Sequence, residues 1–158
     1  MIYPPPIETV LTDLPNDPKD RHEVLVDIFG KYLLWAMNEA LSRSNEMVES
    51  AEARDKLGRV FRQPYETAAH LLSAEQRKAA AAVNRQTLSN FIQLLLGIFT
   101  AEGISHRLGQ HHAIKFRLVM EICEIESMDV ILEEVINRGG AKAFASYWGR
   151  WLLQATNK

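Results

Sequence analysis

Residues 73–100 read SAEQRKAAAAVNRQTLSNFIQLLLGIFT, and the second half of this stretch is the most apolar run in the chain. Ser73 followed by Ala74-Glu75-Gln76 is a capping-box pattern: the serine hydroxyl accepts from the Gln76 amide, and the Gln76 side chain accepts from the Ser73 amide. Ala79–Ala82 add strong helix propensity. From Val83 onward, apolar or small residues recur at Val83, Thr87, Leu88, Phe91, Leu95 and Ile98, and Ile92, Leu94, Leu96 and Phe99 widen the stripe. A helix that becomes apolar nearly all round is expected to be enclosed by other helices. Gly103 supplies a C-terminal stop. The run from Phe91 to Phe99 falls far short of the roughly 20 residues that span a bilayer, so it predicts a core helix and no membrane span.

On the N-terminal side, Met1–Asp13 reads as a lead-in. Pro4-Pro5-Pro6 favours extended polyproline backbone, and residues 1–17 are expected to form an extended arm. Asp17-Pro18 combines a cap with a proline at the first helical position. A first helix is predicted from Pro18 to Ser44, burying Val24, Leu25, Ile28, Phe29, Tyr32, Leu33, Ala36, Ala40 and Leu41. A second should run from Asn45 to Arg62 and end before Pro64. A short helix over Tyr65–Leu72 then leads to the Ser73 cap.

Beyond Gly103, residues 104–112 read as a loop. Over 113–125 the apolar residues alternate, which suits a strand, while Arg117 and Glu121 stand four apart, which suits a helix. Asp129, Glu133 and Asn137 favour a helix over Met128–Arg138; a strand in 113–125 would instead favour a hairpin with 129–137. Gly139-Gly140 marks a break. The last helix, Ala141–Gln154, carries Phe144, Tyr147, Trp148, Trp151 and Leu152 as one aromatic stripe. These elements predict a mainly α protein: one domain over residues 18–158, with five or six helices around residues 83–99 and a small β element left open within 113–137.

Composition narrows the class. A chain of 158 residues with 47% apolar content can bury a core without metal or disulfide. The lone cysteine, Cys123, rules out an internal disulfide framework and suits a reducing, cytoplasmic setting. The N-terminus lacks the basic and apolar regions of a secretory signal. Charge is segregated along the chain. Residues 1–53 hold ten acids and four bases, and residues 54–85 hold seven bases and three acids. Either acidic and basic segments pack together, or the basic one offers a surface to an anionic partner.

The candidate chemistry is sparse. Arg107-x4-His112 resembles the active-site pattern of the HEPN nucleases, helical bundles that cleave RNA without metal. The resemblance implies that Arg107 and His112 would act together near a scissile phosphate. It covers two residues, and Leu108 stands where the family favours a polar residue. With five histidines and eleven arginines in the chain, such a spacing also arises by chance. His106, His111 and His112 cluster near Glu102, and Glu66 and His70 repeat a four-residue spacing, but the Glu-x-x-His pattern of di-metal bundles is absent and no metal or cofactor is expected. Cys123 reads as a buried, inert thiol. No nucleophile elbow, phosphate loop or dinucleotide fingerprint occurs. Arg54, Arg59 and Arg62 on one helix could contact phosphate.

The sequence therefore predicts a non-enzymatic helical protein that binds another protein or a copy of itself. Tyr147, Trp148 and Trp151, with Arg54, Arg59 and Arg62, are the contact residues it suggests. The alternative is a protein acting on RNA or binding nucleic acid through Arg107 and His112.

Overall fold

The computed structural model describes residues 13–100, 106–108, 111–114, 116–138 and 144–156; for 106–108, 112 and 113 it describes backbone alone. Among the described residues the protein is mainly helical, with five α-helices and two small antiparallel β-ribbons. Two compact units are present: one comprises Met1–Leu34 and Ile92–Lys158, the other Trp35–Phe91. The proposed proline arm lies mostly outside the described residues.

Helix α1 spans Pro18–Glu49. Asp17 caps it as the sequence suggests, accepting hydrogen bonds from the amides of Lys19 and Asp20 at 2.8 and 3.1 Å. These amides hold the Asp17 carboxyl below the usual aspartate range. The helix does not break at Ser42–Asn45. It continues to Glu49, and the break comes at Ser50, whose hydroxyl accepts from the Ala53 amide and starts the short helix α2, Ala51–Asp55.

Helix α3 covers Arg59–Leu71 and contains Pro64, which the sequence reading took as a helix stop. The real punctuation is Gly58, the extended N-cap residue. Pro64 sits just past the first turn, so the helix forgoes one backbone bond near its start and continues. Helix α4, Ala74–Ile98, begins with the expected capping box: Gln76 N to Ser73 Oγ is 3.2 Å and Ser73 N to Gln76 Oε1 is 2.8 Å. Its second half is not enclosed. Only Ile92 and Leu96 are buried, four apart on one side, while Val83, Phe91, Leu94 and Ile98 are exposed.

Within the first unit, β1 (His106–Leu108) pairs with β2 (His112–Ile114), where a loop was expected. Strand β3 (Val119–Cys123) pairs with β4 (Val130–Val135). The hairpin, rather than a helix over Met128–Arg138, is thus the realised alternative. Val130, Ile131 and Val135 are β-branched and suit a pleated ribbon, and Met128 turns the chain with φ of 59°. The register places Glu121 directly opposite Glu133, both exposed. Buried Asn137 fixes the ribbon's base: its amide nitrogen donates to the carbonyls of Phe99 and Phe116, and its oxygen accepts from the Leu118 amide.

The core of this unit is aromatic. Phe144, in a short 3-10 turn (Phe144–Ser146), and Tyr147, Trp148 and Trp151 of α5 (Tyr147–Thr156) are all buried, together with Leu25 and Val26 of α1. Phe29 stacks on Phe144 at 5.9 Å and meets Trp151 edge-on at 6.2 Å. Trp151 lies directly on the bare backbone of Gly30, where any Cβ would overlap the indole ring. Gly149, by contrast, faces open space. Gly30→Ala is therefore expected to destabilise the protein by about 1–3 kcal/mol through overpacking. Gly149→Ala should instead stabilise it by roughly 0.5–1 kcal/mol through helix propensity. Urea unfolding of the two variants checks the contrast, and equal effects would refute the Gly30 packing argument.

Candidate functional site

In the unit Trp35–Phe91, few apolar side chains find cover. Its buried apolar residues are Met37, Leu41 and Ala53. On α3 no residue is buried, and Val60, Phe61 and Leu71 are 80%, 71% and 74% exposed. On α4, Val83 and Phe91 are 64% and 58% exposed. Val83, Thr87 and Phe91 follow at four-residue steps and so share one helical face. Beside that face runs a groove of about 370 Å³. Ala40, Leu41 and Ser44 of α1 form one wall, and Asn84, Leu88 and Phe91 of α4 form the other.

The face is also short of charge. From Gln86 to Ala101 no residue is charged. Arg85, the nearest cation on the helix, donates through Nη2 to Asn38 Oδ1 at 3.2 Å. A second cleft, of about 440 Å³, lies where Val48 and Glu49 of α1 approach Ala68 and Leu72 of α3 and Arg77 of α4. Its polar lining is already engaged in part, since Arg77 donates to the Ala69 carbonyl at 3.4 Å.

The expected contact residues are distributed differently. Tyr147, Trp148 and Trp151 are core, with Trp148 and Trp151 only 2% and 1% exposed. Their stripe buries large aromatic area in the chain itself, so they are withdrawn from the surface open to a partner. Of the arginines, Arg54 is folded back on the end of α1, donating to the Met47 and Val48 carbonyls at 2.9 and 2.8 Å. Arg62 pairs with Asp55 at 3.1 Å and Glu66 at 3.0 Å. Arg59 remains on the surface beside Val60 and Phe61. The pair Arg62–Glu66 also accounts for Glu66, which the sequence set beside His70. Arg107 pairs across the first ribbon with Ala113, and His112 with Leu108, so the two are not cross-strand partners. Their side chains lie outside the described residues, as do Glu102 and the side chain of His106. Among the described residues no group of three potential metal ligands converges. Cys123 is half-buried at the ribbon's irregular end rather than fully buried.

A polar cluster that sequence reasoning missed ties α5 to α1. Tyr147 donates to Glu23 Oε1 at 2.6 Å, and Arg150 donates to Glu23 Oε2 at 2.8 Å and to Asp27 Oδ1. Trp151 Nε1 donates to the same Asp27 oxygen at 2.9 Å. The Arg150 guanidinium also lies 4.4 Å from the centre of the Tyr147 ring. Next to it, buried Glu134 meets His22 Nδ1 at 3.0 Å and Arg138 at 3.1 Å. The two terminal guanidinium nitrogens of Arg150 are paired while its buried Nε has no hydrogen-bond partner among the described residues, and the bonds of the cluster fasten α5 to α1. Burial works against the charge of Arg150, but its bonds to Glu23 and Asp27 outweigh that and raise its pKa.

Comparison with protein-family models, curated proteins and solved structures finds no match.

Burial first, and then the hydrogen bond to Glu23, push the Tyr147 hydroxyl up to about 12. A raised phenol pKa means that the neutral form is favoured in the fold. Its contribution is therefore whole below the ordinary tyrosine range near 10 and is lost as pH climbs through about 12. Ultraviolet titration at alkaline pH should show a late tyrosine ionisation belonging to Tyr147. Tyr147→Phe should remove that late step; its persistence in the variant would disprove the assignment.

Proposed function

We propose that this protein is a non-enzymatic binding protein, acting through contact with another protein or with a copy of itself. The observation that carries the reading is the exposure of apolar side chains on α3 and α4: Val60, Phe61, Leu71, Val83 and Phe91 all stand in water. Single exposed apolar residues are ordinary, and it is their number on two helices of one small unit that supports the reading of an association surface. Phe61 and Phe91 are the residues best suited to anchor a partner, since large aromatic side chains dominate interface energetics.

The basic segment contributes less than its sequence suggests. Arg54 and Arg62 are held by neighbours in the chain, and an engaged guanidinium has fewer donors left for phosphate. That weighs toward a protein partner over nucleic acid. No described helix is long and apolar enough to cross a membrane, and the lone cysteine fits a cytoplasmic setting.

The test is the double variant Phe61→Gln, Phe91→Gln. It should keep the helical circular dichroism of the parent and a melting temperature within about 5 °C, because surface substitutions change stability little. It should also lose the complexes captured by cross-linking in the native host. A fall in melting temperature of roughly 10 °C or more would assign both residues to the core and defeat the proposal.

A further inference from the structure

We infer that the cleft between the end of α1, the end of α3 and the first half of α4 binds a small phosphorylated alcohol, with a single phosphate monoester on a hydroxyl-bearing body. The inference goes beyond protein association and uses none of the exposed apolar side chains. Every residue it involves lies in the unit Trp35–Phe91.

The cleft is of ligand size. Its volume of about 440 Å³ falls within the roughly 300–1,000 Å³ of small-molecule sites. Alanines make the room: Ala68 on α3 and Ala80 and Ala81 on α4 line it where longer side chains would close it.

Its polar side chains are uncommitted. Ser44 and Asn45 line it from α1, and Lys78 and Asn84 line it from α4. Among the described residues, none of these four side chains makes a hydrogen bond or ion pair. Arg77 makes one bond, from Nη1 to the Ala69 carbonyl at 3.4 Å. That is longer than the usual range of roughly 2.7–3.2 Å, and Nε and Nη2 keep their donors. Nor are the two cations needed to close the end of α1 next to them, because Arg54 already takes the Met47 and Val48 carbonyls there.

The charges select the ligand. Arg77 and Lys78 are neighbours, and among the described residues no carboxylate pairs with either. Two such cations match a dianion. A phosphate monoester carries about −1.5 to −2 charges near neutral pH and offers three acceptor oxygens, whereas a phosphodiester carries a single charge. Glu49 lines the same cleft and pairs with neither cation. Its carboxylate can accept from a hydroxyl of the ligand and repels a second phosphate. It thereby favours an alcohol with one phosphate over a polyphosphate or a nucleic-acid backbone.

Amide NMR titration of the full-length chain tests this, with ribose phosphate, free ribose and dimethyl phosphate as probes. Ribose phosphate at millimolar concentration should move the resonances of Ser44, Arg77, Lys78 and Asn84 and saturate them. Free ribose should not, and dimethyl phosphate should bind about tenfold more weakly or worse. Lys78→Gln should weaken the binding of ribose phosphate by about tenfold or more, the usual worth of a hydrogen bond to a charged group. Ala81→Leu should fill the cleft and abolish binding with every charge in place. Lys31→Gln, outside the cleft on α1, should leave binding unchanged. Helical circular dichroism should match the parent in each variant, since Lys78 is exposed and leucine is a strong helix former; if Ala81→Leu loses helicity, Lys78→Gln alone decides. Absence of saturable shifts, equal binding of the diester, or undiminished binding by Lys78→Gln would overturn the inference.

Discussion

The contact of Trp151 with the bare backbone of Gly30 is the constraint on which the aromatic unit depends. An indole can lie against a helix backbone only where the helix offers no side chain, and α1 offers that gap at one point. The same ring is held from its edge by Asp27, one turn earlier on α1, through Nε1. Packing and hydrogen bond act on the two sides of one side chain and fix its rotation as well as its depth. Phe29, Phe144, Tyr147 and Trp148 then fill the space around it with edge and stacked contacts. Removing the gap at Gly30 would displace a ring that four others touch.

The polar groups of that unit follow from the same placement. Once Trp151 sits on Gly30, the preceding turn of α5 brings Arg150 and Tyr147 to the carboxylates of Glu23 and Asp27. Partly buried charges are tolerable when paired and hydrogen-bonded, and costly when one partner is removed. The concentration of charge here is therefore explained by docking α5 on α1. The helical unit 35–91 is organised the other way: its charges make local pairs, such as Arg43 with Glu39 and Arg62 with Glu66, and beyond Met37, Leu41 and Ala53 several of its large apolar side chains are exposed.

What could be read in the sequence was local. The caps at Asp17 and Ser73 depend on residues two or three apart and are present as expected. The mainly helical class followed from periodicity. Helix ends were harder. Ser42–Asn45 resembled a break, yet nothing there forces one, whereas Ser50 and Gly58 supply the extended cap residues that do. The 128–138 segment carried helix-spaced polar residues, and the β-branched Val130, Ile131 and Val135 prevailed because a partner strand was available to pair with them. The fate of the aromatic stripe was not legible. Periodicity shows that Tyr147, Trp148 and Trp151 share a face, but burial depends on the gap at Gly30, more than a hundred residues away. For the same reason the apolar circumference of α4 could not reveal that only its Ile92 and Leu96 side is covered.

The opposition of Glu121 and Glu133 on the second ribbon has a consequence for how the protein behaves in a crowded solution. Val119, Val130 and Ile131 are exposed there, and among the described residues no third strand flanks either edge. Such a ribbon is a template for adding foreign strands, the first step toward amyloid-like stacking. Two carboxylates facing each other weaken the ribbon slightly, and a further strand of the same sequence laid in register would set another carboxylate beside them, so the acidic pair opposes the stacking of like ribbons.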